Sequence, residues 1–157
     1  GLLFLTYLSG TLTAGISGRI VGRGSQPLAM AAGVLILMLG TLLTLIPRLE
    51  AIVAGMLINA IGFFFTHTQA AGWVSRRADG ARASASSLYL MCYYGGASIG
   101  SFYLGPFWHW HGWPGVVTGA ILMLSVALAF ALRLRVYERR APVGAPVMAE
   151  APEPSAG

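Results

Sequence analysis

The chain has 157 residues, 56% of them hydrophobic and only 10% charged, with a mean hydropathy of +0.71 and a net charge of +5. A soluble domain carries about 25% charged residues, so this composition belongs to the membrane class and argues against a soluble enzyme or binding module. All of the positive charge is arginine, placed between apolar runs and not among aromatics on a polar surface, which argues against a nucleic-acid partner.

The chain opens "GLLFLTYLSG", with neither Met nor a basic leader. It does not read as a signal peptide with its n-region intact, and we expect a piece of a longer chain. A spanning helix needs roughly 20 mostly apolar residues. Five segments reach or approach that length: residues 2–18, 28–46, 51–73, 86–107 and 115–132. None contains Asp, Glu, Lys or Arg, as expected where a mid-bilayer charge costs at least ~2.5 kcal/mol. The expected fold class is therefore an all-α membrane protein with five transmembrane helices in residues 1–133. The Pro- and Ala-rich remainder, 134–157, reads as a disordered tail.

The first span carries Thr6, Tyr7, Ser9, Thr11, Thr13 and Ser17, with Thr6, Gly10, Thr13 and Ser17 at helical spacing. The second has only Thr41 and Thr44 as polar side chains, and the fifth only Thr118 and Ser125, so both suit lipid-facing positions. The third carries Gly55, Asn59, Gly62, Thr66, Gln69 and Trp73 in a 4-3-4-3-4 spacing, one narrow stripe down the helix. On the fourth, Tyr89, Tyr93, Gly96, Gly100 and Tyr103 repeat that spacing, with Tyr94, Ser98, Ser101 and Gly105 on the opposite side. Polar groups in hydrocarbon need partners, so the first, third and fourth spans are expected to face protein or water. Small-residue stripes also mark helix packing, and Gly96, Gly100, Gly105 and Pro106 are read that way. Asn59, Thr66, Gln69, Tyr89 and Tyr93 are the candidates for a partly wet pathway.

Nine of the ten arginines fall on one side: Arg19 and Arg23 after the first span, Arg76, Arg77 and Arg82 after the third, and Arg133, Arg135, Arg139 and Arg140 after the fifth. Arg48 stands alone on the other. The positive-inside rule then puts the C-terminus in the cytoplasm. Trp108, Trp110 and Trp113 in the outer loop, and Trp73 at the inner end of the third span, hold aromatic-belt positions.

The order polar, greasy, polar, polar, greasy, with a cytoplasmic end, resembles the C-terminal half of a major facilitator superfamily transporter over residues 2 to about 140. The five spans would be helices eight to twelve of twelve. "SGRIVGRGSQ" resembles the family's Gly-x-Leu-x-Asp-Arg-x-Gly-Arg cytoplasmic loop signature through Gly18, Ile20 and Arg23, while Gly22 replaces the acidic residue and Ser25 and Gln26 replace the Gly-Arg. "GGASIGSFYLGP" is similar to the glycine-rich eleventh helix of drug:proton antiporters. "FFFTHTQAAGWVSRRA" and "SSLYLMCYYGGASIG" look like one bacterial drug-efflux-type branch. The resemblance implies alternating access in a bacterial inner membrane, with efflux of a small organic molecule against proton entry. It implies as partners the lipid bilayer, that solute, protons and a missing N-terminal half. It implies no cofactor.

His67 is the only histidine inside a span. Its reference pKa of about 6.5 makes it the proton-coupling candidate, although it lies about one residue's rotation off the Asn59–Thr66 stripe. A neutral histidine bonded to a neighbouring helix is the alternative. His109 and His111 flank Trp110 and read as interfacial loop residues, since two ligands without Cys, Asp or Glu nearby make a poor metal site. Cys92 reads as a small core residue. No nucleophile–base arrangement, phosphate loop or metal cluster points to an enzyme. A structural or regulatory helical membrane protein is the alternative to a transporter.

Overall fold

The computed structural model describes residues 25–78 and 80–140. The first expected span, the loop residues Gly18 and Arg23, and residues 141–157 lie outside the described residues. Within them the chain forms three helical elements: α1 (Gln26–Leu43), α2 (Leu49–Arg77) and α3 (Arg82–Arg140). All three are long and apolar enough to cross a membrane. The expected span 28–46 falls in α1 except for its last three residues, and 51–73 falls in α2. The spans 86–107 and 115–132 fall in the two arms of α3, which is broken at His111 and Gly112.

The α1 helix opens after Ser25, whose backbone is extended, with Pro27 in the first turn where its missing N–H costs nothing. It ends at Leu43. Beyond it, Thr44, Leu45 and Ile46 donate to carbonyls three residues back, tightening the chain before Pro47, which cannot continue a helix. At about 1.5 Å per residue its 18 residues extend about 27 Å, close to the ~30 Å hydrocarbon core. The α2 helix has 29 residues and projects beyond that core at its ends, where Glu50 in the first turn and Arg76 and Arg77 in the last match the helix dipole.

The arms of α3 fold back on each other. Gly100 lies against Met123, and Gly119 against Leu104 and Phe107; Gly115 abuts the Phe107 carbonyl. This antiparallel register follows from Gly112, whose φ of 59° and ψ of −137° lie where side chains other than hydrogen are strained. Pro114 then stands near the start of the second arm, where proline is tolerated. That arm does not stop at the expected span end, 132, but runs on through Arg140. Residues 134–140, expected as the start of an unstructured tail, are therefore helical. A charge ends the part of a helix that hydrocarbon tolerates; it does not end the helix, because long arginine side chains reach the interface.

Among the described residues the best-packed helix is α1. Pro27, Met30, Ala31 and Val34 are buried, and Met30 and Ala31 meet Ala131, Leu128, Ala70 and Trp73. Its opposite face exposes Leu28, Leu35, Leu39 and Leu42, a stripe suited to lipid. The first arm of α3 is the least covered: Leu88, Met91, Tyr94, Ile99 and Phe102 are exposed.

Candidate functional site

The polar stripe of α2 meets α1. Gly33 and Gly40 on α1 face Gly62 and Gly55 on α2, so each helix carries two glycines seven residues apart at one crossing. A Cβ at Gly40 would come within 2.6 Å of the Asn59 nitrogen, and one at Gly62 within 2.7 Å of the Leu37 nitrogen. The backbones approach this closely because no side chain intervenes. Asn59 continues the seam, its Nδ2 donating to Thr41 Oγ1 at 2.8 Å. Thr66 Oγ1 donates to the Gly62 carbonyl one turn back at 2.8 Å. Gln69 is only 3% exposed, and its Oε1 accepts from Gln26 Nε2 at 3.4 Å. The structure thus places Asn59, Thr66 and Gln69 together, along the face that α1 covers.

His67 lies on a different face of α2, toward the first arm of α3. The Tyr89 hydroxyl is 2.9 Å from His67 Nδ1 and 3.4 Å from the His67 carbonyl oxygen. The imidazole centroid is 4.9 Å from that of Tyr93 and 5.5 Å from that of Tyr89. Phe63, one turn earlier on α2, stacks on the imidazole at 5.8 Å with only 13° between planes, and lies 6.2 Å from Tyr93. The structure therefore gathers His67, Tyr89 and Tyr93 into one cluster. Phe63 was missed as a member; its i, i+4 relation to His67 was the available signal. Such a cluster combines a group that can carry a proton, phenols that donate and accept, and broad π faces.

On the side of the first arm of α3 opposite Tyr89 and Tyr93 lie Tyr94, Ser98, Ser101 and Gly105. The serine hydroxyls bond back to carbonyls four residues earlier, and the stripe is exposed apart from the half-buried Gly105. Of the expected packing residues, Gly100 is buried against the second arm, whereas Gly96 and Gly105 have no neighbour within Cβ reach among the described residues, and Pro106 is exposed. Cys92 is exposed as well, unlike the core residue expected, because its side of the arm has no described neighbour. His109 and His111 are exposed at the bend of α3.

Two further features were not read from the sequence. At the tryptophan-bearing end, Trp113 Nε1 donates to Thr44 Oγ1 at 3.2 Å, beside a cavity of about 350 Å³ lined by Thr41, Thr44, Met56, Asn59, Val117 and neighbours. At the arginine-bearing end, Ser25 Oγ donates to Glu138 at 2.7 Å, and Arg76 Nε donates to Gln26 Oε1 at 3.3 Å. The Arg77 guanidinium lies 4.6 Å over the Trp73 ring. These contacts join the start of α1 to the ends of α2 and α3.

Comparison with known proteins gives this arrangement a family. The chain is 36% identical over 126 residues to the uncharacterized MFS-type transporter YybF of Bacillus subtilis (strain 168), covering 80% of this chain and 31% of that protein. It is 42% identical over 134 residues to the inner membrane transport protein YnfM of Escherichia coli (strain K12), covering 85% of this chain and 32% of that protein. The chain belongs to the major facilitator superfamily. An uncharacterized transporter of Buchnera aphidicola subsp. Schizaphis graminum (strain Sg) matches it at 31% over 135 residues. The chain spans about a third of the length of these curated relatives. No protein-family model matches the chain, and no solved structure matches it. Ser25 and Gln26, which stand where the superfamily signature has Gly-Arg, are the residues that make the contacts at the arginine-bearing end.

Proposed function

We propose that this chain is part of a secondary active transporter that moves a small organic solute by proton-coupled efflux, through alternating access. The spans take the places of helices eight to twelve, and a preceding half supplies the rest of the cavity wall. The protein lies in a bacterial inner membrane with its C-terminus in the cytoplasm. The names of the relatives and the placement of nine of ten arginines on one side support this reading.

The observation that carries the proposal is the His67–Tyr89–Tyr93 cluster, on the face of α2 turned to the first arm of α3. An ionisable group at membrane depth is a functional candidate. Here it bonds across two helices and stays half-buried. We place the pathway on this face, with Tyr89 and Tyr93 as its walls and His67 as the proton carrier. Thr66, Asn59 and Gln69 then serve the α1–α2 seam, holding α2 so that His67 faces α3.

The test is solute movement by the intact protein in lipid vesicles under an imposed pH gradient, across a broad panel of organic solutes. We expect movement to follow the gradient. In His67→Gln we expect solute exchange to persist while solute-driven proton flux is lost between about pH 5.5 and 8, the range around the reference imidazole pKa. Unchanged proton flux in that variant reduces His67 to a packing residue. Failure to move any solute favours a structural or regulatory membrane protein.

A further inference from the structure

We propose that Tyr89 is a positioning residue for His67: it holds the imidazole proton on Nδ1 and leaves Nε2 as the nitrogen that gains and loses a proton. The proposal deepens the proton-carrier reading of His67 and rests on it.

The phenol has one proton to donate and two acceptors in reach, His67 Nδ1 at 2.9 Å and the His67 carbonyl oxygen at 3.4 Å. Two arrangements fit this geometry. In the first, the phenol donates to Nδ1 and the ring's proton sits on Nε2. In the second, Nδ1–H donates to the phenol oxygen, and the phenol donates to the carbonyl. The imidazolium can adopt only the second, because both of its nitrogens are then donors. A ring already in the second arrangement gains its proton on Nε2 with no change in either bond. A ring in the first must take the proton at the nitrogen that Tyr89 occupies, so the phenol has to turn away.

The carbonyl is what makes the second arrangement available. Among the described residues it is the acceptor in reach of the phenol proton once Nδ1 becomes a donor, and pairing that proton avoids the cost of an unmade bond. The 3.4 Å contact is long for a bond between oxygens, and a small turn of the phenol shortens it. The neighbouring rings restrict the alternatives. Phe63 lies nearly parallel to the imidazole and Tyr93 meets it at 56°, so these rings hold the plane of the imidazole; only a half-turn about the Cβ–Cγ bond keeps both contacts, and it forfeits the bond to Tyr89 by putting Cδ2 in place of Nδ1. Among the described residues the titratable groups that face the imidazole are Tyr89 and Tyr93, both from α3; α2 contributes Phe63.

The experiment is magnetic resonance of the intact protein in lipid bilayers, with isotope-labelled histidine and the His67 signal assigned by its loss in His67→Gln. Protonated and bare ring nitrogens resonate far apart, so the neutral tautomer is read directly. We expect the proton on Nδ1 in the unsubstituted protein. Tyr89→Phe removes only the hydroxyl and is expected to move that proton to Nε2, the tautomer that free imidazole side chains favour. A proton on Nε2 in the unsubstituted protein overturns the proposal, as does a tautomer indifferent to Tyr89→Phe. Proton flux in the same variants separates the two readings. Should His67→Gln leave flux unchanged while the tautomer still follows Tyr89, the transport role of His67 fails and the positioning by Tyr89 stands.

Discussion

Replacing Gly62 with leucine is expected to part α1 from α2 and lower the stability of the protein more than any polar substitution along the seam. A Cβ at Gly62 would lie 2.7 Å from the Leu37 nitrogen and 2.9 Å from the Gly33 carbonyl oxygen. Both are backbone atoms of a helix, so neither can yield as the tip of a flexible side chain would. Overpacking a well-filled interior costs about 1–3 kcal/mol for a few methylenes, and leucine adds four carbons where there is room for none. The separation would also break the Asn59–Thr41 bond, worth about 0.6 kcal/mol by the average of such bonds between membrane helices. Gly72→Ala on the same helix is the matched control. Its Cβ would meet only Arg76 and Gln26 side-chain atoms, at 3.5 Å or more, and alanine is better by about 0.5–1 kcal/mol in a helix interior. Thermal unfolding in detergent should show a clear fall for Gly62→Leu and no loss for Gly72→Ala. Equal behaviour of the two would mean that the seam is not close-packed.

The second large effect is expected at Gly112. Its φ of 59° with ψ of −137° is a conformation that L side chains rarely adopt, and a substitution there is strained although the space around it is open. Holding a residue in such a region costs about 1–3 kcal/mol. Gly112→Ala should therefore destabilise the bend by about that amount. It should also disturb the register that sets Gly115 and Gly119 against Phe107 and Trp113 against Thr44. With Trp73, Trp108 and Trp110 replaced by Phe, the indole bond of Trp113 gives a local readout: its fluorescence should shift in Gly112→Ala and stay unchanged in Pro106→Ala, which lies inside the first arm. A fully stable Gly112→Ala protein with an unshifted Trp113 signal would mean that the bend tolerates other backbone angles.

The elements were legible because apolar runs of spanning length are separated by arginines, prolines and glycines, and those signals are local. The chain bends at Gly112, between two of the expected spans, for the same reason. What the sequence did not resolve is which neighbour each face meets. Gly55, Asn59, Gly62, Thr66 and Gln69 form one stripe, and a stripe of small and polar residues looks the same whether it lines a wet cavity or lets another helix approach. The deciding signal lay elsewhere in the chain. Gly33 and Gly40 repeat the seven-residue spacing of Gly55 and Gly62, and two matched glycine pairs on consecutive helices specify a close antiparallel crossing. The His67 cluster was half legible. Residue type and depth singled out His67, Tyr89 and Tyr93 separately, whereas the bond between His67 and Tyr89 depends on how the first arm of α3 returns along α2. The links from Trp113 to Thr44 and from Ser25 to Glu138 join residues 69 and 113 positions apart, beyond the reach of any local pattern.

The division of α2 into a packed seam and a pathway face can be measured with single cysteines in the intact protein, after Cys92→Ala removes the native thiol. Gln69→Cys reports on the seam, Tyr93→Cys on the proposed pathway. A water-soluble, membrane-impermeant thiol reagent applied to both sides of the bilayer should label Tyr93→Cys, with transported solute slowing the reaction, and should leave Gln69→Cys unreacted. Labelling of Gln69→Cys that solute protects, with Tyr93→Cys silent, would contradict this arrangement and return the pathway to the Asn59–Gln69 stripe.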